Sequence, residues 1–109
     1  MRRGTTVPHT FKLPTDIPKG SLVRLVYAQK PGGIKKVLFV KTGKDVTVSG
    51  NSVSTKLTQE ETLSVDDRLP VLAQVRFLTP ENEARGTRVI EISAEECLED
   101  EVMTFEGYS

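Results

Sequence analysis

A chain of 109 residues with 15 Lys or Arg against 15 Asp or Glu and 37% hydrophobic residues has the length of one modest domain and little apolar surplus for a deep enzyme pocket beside its core. No apolar run approaches the ~20 residues of a membrane span, and Met1-Arg2-Arg3-Gly4 leads into polar residues instead of a signal-peptide core, so neither anchoring nor export is expected. The single Cys97 has no partner for an internal disulfide and the single His9 none for a zinc site, which leaves packing to supply stability.

Period-2 patterning runs through almost the whole chain and predicts a β protein. Thr10–Leu13 puts Phe11 and Leu13 on one side and stops at Pro14; residues 15–20 then read as a turn-rich connection. Ser21–Gln29 has two apolar faces, Val23, Leu25 and Tyr27 on one and Leu22, Val26 and Ala28 interrupted by Arg24 on the other, the pattern of a central strand. Pro31-Gly32-Gly33 turns the chain into Ile34–Thr42, with Val37 and Phe39 on one side and Leu38 and Val40 on the other. Residues 46–49 and 52–57 form a hairpin across Gly50-Asn51. Thr58-Gln59-Glu60-Glu61 is a capping box that starts one helical turn near 58–63. Leu69–Thr79 and Thr87–Ser93 complete seven strands, and a second capping box, Ser93 to Glu96, places another turn near 94–98, with Cys97 and Leu98 capping the open end of the fold.

Seven short antiparallel strands in this length predict an immunoglobulin-like β-sandwich over 9–93, with a small β-barrel as the alternative. The core is expected from Phe11, Val23, Leu25, Tyr27, Val37, Phe39, Val75, Phe77, Ile90 and Ile92. Residues 1–8 read as an N-terminal arm and 94–109 as an acidic tail.

Zero net charge hides an uneven distribution. Residues 1–44 carry ten Lys or Arg and one acid, Asp16, whereas residues 89–109 carry seven acids and no base. Ends that fold apart would give a basic and an acidic face able to join copies head to tail; ends that fold side by side would neutralise each other. The expected interface comprises Arg2 and Arg3 of the arm and Glu99, Asp100, Glu101, Val102, Met103 and Phe105 of the tail, together with Gln74 and Arg76 on the face opposite Val71, Val75 and Phe77, which either contact a neighbour or hydrogen-bond loops of their own domain. The arm and the tail are expected to touch other subunits instead of their own domain. The basic residues are singly spaced and lack interleaved aromatics, so nucleic acid is not an expected partner.

Catalytic constellations are missing from the sequence. His9 has no second His or nearby Cys, and Glu60-Glu61, Asp66-Asp67 and Glu95-Glu96 are sequence neighbours whose side chains diverge in turns. No enzyme activity, cofactor or metal is expected. His9 itself reads as a structural residue at the start of the first strand.

Several segments, taken in order, carry a resemblance: Met1-Arg2-Arg3-Gly4-Thr5-Thr6 with His9-Thr10-Phe11-Lys12-Leu13-Pro14, then Val26-Tyr27-Ala28-Gln29, Leu57-Thr58-Gln59-Glu60-Glu61-Thr62-Leu63, Gln74-Val75-Arg76-Phe77-Leu78-Thr79 and Cys97-Leu98-Glu99-Asp100-Glu101-Val102. Together they resemble a family of short proteins encoded in prophages of gut Firmicutes. The turn at 31–33 and the segments 66–70 and 82–85 depart from that family's usual wording. The resemblance implies a phage-encoded β domain located in the virion, a tail, neck or capsid-surface module whose partners are other virion proteins and its own copies. A free adaptor that binds a host protein, a host-surface glycan or a host defence factor is the alternative.

Overall fold

The computed structural model describes residues 1–87 and 89–93. Two antiparallel sheets face each other. One has the order β1 (Val7–Lys12), β5 (Ser52–Leu57), β4 (Val46–Ser49). The other runs β3 (Lys36–Thr42), β2 (Leu22–Gln29), β6 (Val71–Leu78), with β7 (Ala84–Gly86) and β8 (Ile90–Ile92) both on the far edge of β6. This order is that of the B-E-D and C′-C-F-G sheets of an immunoglobulin-like sandwich, with the position of the first strand, A, unfilled among the described residues. The expected all-β, immunoglobulin-like fold is therefore what forms.

Local chemistry sets the connections. Ser49 pairs with Ser52 across the two-residue loop, and Gly50 takes φ +60° there, which a residue bearing a Cβ enters only at a cost. Helix α1 (Gln59–Leu63) starts at the expected capping box: the Thr58 hydroxyl accepts from Glu61 N at 3.1 Å, and Glu61 Oε1 accepts from Thr58 N at 2.9 Å.

The core lies between the sheets and includes the fully buried Leu25, Tyr27, Val53, Leu57, Val71 and Val75, with Val23 and Phe77 beside them. Phe11, Phe39 and Ile92 pack at its margin, and Ile90 is half-buried. Val37 corrects the expectation: it is 48% exposed. Tyr27 pairs with Phe39 but Ala28 pairs with Val37, so Leu38 is an extra residue in β3. This bulge turns Val37 to the outer face and lets both Leu38 and Phe39 reach the core. Ile17, read as part of a turn, is buried because its N–H donates to Gly50 O at 3.0 Å and draws the connection over the sandwich.

Two further boundaries differ. The first strand begins at Val7 and not at Thr10, and includes Pro8, whose missing N–H is tolerated on an edge strand. The last strand is split in two, and Ala84–Gly86, expected in a loop, is its first half. Between the halves, Thr87 N donates to Val75 O, Thr87 Oγ1 accepts from Val75 N, and Gln74 Nε2 donates to Thr87 O at 2.7 Å. Side chains thus supply two of these three bonds. The second helical turn and the capping role of Cys97 and Leu98 fall outside the described residues.

The bulge gives a direct contrast within one strand pair. Leu25→Ala should lower the unfolding free energy by about 2–5 kcal/mol, whereas Val37→Ala should change it by less than about 0.5 kcal/mol, as read from urea denaturation of the two variants.

Candidate interaction face and the polar clasp between the sheets

Polar residues cluster at two places, one between the sheets and one on the outside of the larger sheet. Between the sheets, His9 projects inward from the middle of β1. Its Nδ1 lies 2.9 Å from Tyr27 Oη, and its ring stacks on Tyr27 at 5.8 Å, while Tyr27 stacks in turn on Phe39 at 4.8 Å. Burial, and then the nearby Glu61 charge, push the Tyr27 hydroxyl well above its ordinary range, so it keeps its proton, and the direction of its bond with His9 Nδ1 follows the imidazole tautomer. Burial and then the charge of the N-terminal ammonium lower the pKa of His9 from 6.5. Lys41, 5% exposed on β3, donates to Glu61 Oε1 at 2.8 Å, the same oxygen that caps α1. One carboxylate therefore ties the helix to the sheet. This clasp is inside the sandwich and joins its two layers; His9, expected at the entry of the first strand, lies within it.

The outer face of the larger sheet differs in kind. The register aligns Leu22 with Leu78 and Ala84; Thr42 with Arg24, Arg76 and Gly86; Val40 with Val26 and Gln74; and Val37 with Ala28, Leu72 and Glu91. Within this surface Leu22 is 69% exposed and Val40 40%. A shallow trough of about 790 Å³ runs along it, bordered by Val26, Val37, Leu72, Arg76 and the flanking Lys30 and Lys35. The sequence shows the second apolar face of β2, which reads as burial on both sides of a central strand. β2 is central, but among the described residues no second layer covers that face.

The expected interface residues are dispersed. Gln74 and Arg76 do lie opposite Val71, Val75 and Phe77; Gln74 is committed to Thr87 O of its own domain, and Arg76 is exposed. Arg3 donates from Nη2 to Leu63 O at 2.9 Å, Thr5 O accepts from Thr62 Oγ1, and the Met1 ammonium donates to Ser93 O at 2.7 Å. Residues 1–8 accordingly pack on their own domain, a correction to the expected arm, because the donors of this segment meet carbonyls at the end of α1 and after β8. Arg2 is exposed next to this contact, so the basic start of the chain sits beside the point where the acidic stretch begins. Glu99, Asp100, Glu101, Val102, Met103 and Phe105 lie outside the described residues. Arg24, Val26 and Val40 were missed as surface residues; the only signal was the apolar second face of β2.

Asp66 illustrates the acidic turns. Its carboxylate accepts from Arg68 N, Nε and Nη2, and the Arg68 side chain, then its backbone N–H, hold the Asp66 pKa down to about 2. Such a carboxylate is engaged within its own loop. Among the described residues no group of three or more His, Cys, Asp or Glu is placed to hold a metal, and no helix is long and apolar enough to cross a membrane.

No family model matches the chain, and no curated protein does. A solved structure of murine CRIg is similar at 12% sequence identity with a TM-score of 0.46, over 87% of this chain and 89% of that one.

Two outcomes follow from the clasp. Glu61→Gln keeps an acceptor for the cap but strands the buried Lys41 charge, so it should cost about 3–5 kcal/mol, and Lys41→Met should cost clearly less, both measured by denaturant unfolding. Because the folded-state pKa of His9 is depressed from 6.5, the unfolded chain binds the proton more readily. Its contribution to stability is complete above pH 6.5 and is lost as pH falls from there toward the depressed value. His9→Gln should flatten the pH dependence of the urea midpoint between about pH 7.5 and 5.5.

Proposed function

We propose that the protein is a non-enzymatic assembly module, a structural or accessory component of a phage virion that acts through protein–protein contacts. The observation that carries the assembly reading is the outer face of β3, β2 and β6, which no second layer covers among the described residues and where Leu22, Val37 and Val40 are exposed. Exposed apolar rows with arginines between them have the composition of a binding face. The virion assignment rests on the resemblance of the quoted sequence segments between Met1 and Val102 to prophage-encoded proteins. A position in tail, neck or capsid surface, with virion proteins and further copies as partners, belongs to the same proposal.

Two measurements test it. Mass spectrometry of purified phage particles should recover the chain in stoichiometric amount; its absence from particles would overturn the virion assignment in favour of a free adaptor. Val40→Lys places a charge in the middle of the face without touching the core, and should weaken association by at least about tenfold in sedimentation equilibrium while leaving the melting temperature nearly unchanged.

A further inference from the structure

Arg24 on β2 and Arg76 on β6 stand directly opposite each other on the outer face, and both are exposed. Like charges opposed across two strands repel. Among the described residues neither has an ion-pair partner, whereas the exposed Arg68 and Arg85 each hold a carboxylate at 2.9 Å. The position next to Arg76 in the same row is Gly86, where a Cβ would sit 3.8 Å from Arg76 Cγ, so the row is low beside the guanidinium. The rows on either side are mostly apolar: Leu22, Leu78 and Ala84 before it, Val40 and Val26 beside Gln74 after it. Along β2 the surface therefore reads apolar, cationic, apolar at alternate positions, Leu22, Arg24, Val26.

Resting on the assembly reading above, we infer that this arginine pair receives the acidic segment around Asp100 of a second copy of the chain. Leu98, Asp100 and Val102 occupy alternate positions, so an extended segment presents all three on one face, with the spacing of Leu22, Arg24 and Val26. Leu98 and Val102 then meet the apolar rows, and the Asp100 carboxylate lies between two guanidinium groups, each able to donate a charge-assisted bond. Apolar rows on both sides of the cations suit a protein segment better than a phosphate backbone, which would leave them uncovered.

Reach argues for a second copy. Leu98 is five residues beyond Ser93, at most roughly 17–18 Å of chain. Ile92 pairs with Val71, so β8 ends beyond the start of β6 and heads away from the arginine row. Even with Leu98 over the nearer apolar row at Val26, the straight-line distance is about 18 Å from strand rise, strand spacing and layer spacing. That would consume the whole reach before any turn. A neighbouring molecule has no such constraint.

The test uses the full chain in sedimentation equilibrium, with melting temperature as the control for folding. Arg24→Glu with Arg76→Glu, and separately Asp100→Arg, should each weaken self-association at least tenfold and reduce its salt sensitivity. A synthetic peptide of residues 94–109 should bind the wild-type chain and lose at least tenfold in affinity for the double variant. Combining Arg24→Asp and Arg76→Asp with Asp100→Arg should recover part of the association. Self-association unaffected by these variants would overturn the arginine pair as the docking site while leaving the assembly reading in place. A chain that stays monomeric at high concentration, with no peptide binding, would overturn docking between copies, and the assembly reading would then stand or fall on the particle mass spectrometry alone. Tighter binding of a single-stranded oligonucleotide than of the peptide would assign the pair to phosphate and overturn the inference.

Discussion

Seven successive register pairs between β2 and β6, from Leu22 with Leu78 to Ala28 with Leu72, govern both sides of the larger sheet. Period 2 means that fixing one pair fixes all the others. The inward set, Val23, Leu25 and Tyr27 against Ala73, Val75 and Phe77, becomes the core; the outward set, Leu22, Arg24 and Val26 against Gln74, Arg76 and Leu78, becomes a surface. A one-residue slip would turn one strand over against the other, burying Arg24 or Arg76. Burial of unpaired charge is costly enough to exclude that register.

The second layer is fastened to this frame by a small number of polar contacts. The His9–Tyr27 bond and ring stack link β1 to β2, and Glu61 links α1 to Lys41 on β3 while capping the helix. Groups that are ionised or hydrogen-bonded in a dry interior must be matched in geometry, so these contacts set how the layers sit as well as how firmly they hold. They also account for the polar residues a catalytic reading would seize upon: His9, Tyr27, Lys41 and Glu61 are engaged with each other or with the capping backbone.

The outer surface has a different logic. Its apolar rows and its opposed arginines are unfavourable for an isolated molecule, one through exposed hydrophobic area and the other through repulsion. Both penalties lie on the same strands and would be relieved by the same kind of contact, a partner segment bearing acid between apolar residues. The N-terminal basic residues are a separate matter, since Arg3 and the Met1 ammonium are turned toward their own domain.

Local chemistry was legible from the residues alone. The 46–57 hairpin needed only Gly50 at a tight turn between alternating strands, and the start of α1 needed only Thr58 and Glu61 three residues apart; both are satisfied by neighbours in sequence. The inward faces of β2 and β6 were equally readable from their alternation. What required the tertiary structure were features made by distant partners. Val37 faces out because Leu38 is bulged against β2, Ile17 is buried because Gly50 O accepts its N–H, and the last strand breaks because Gln74 and Thr87 bond across it. No alternation of apolar and polar residues distinguishes a face covered by another layer from one left open. The sequence therefore determined that β2 has two apolar faces, and the packing of β1, β4 and β5 against one of them decided which became core and which, among the described residues, became surface.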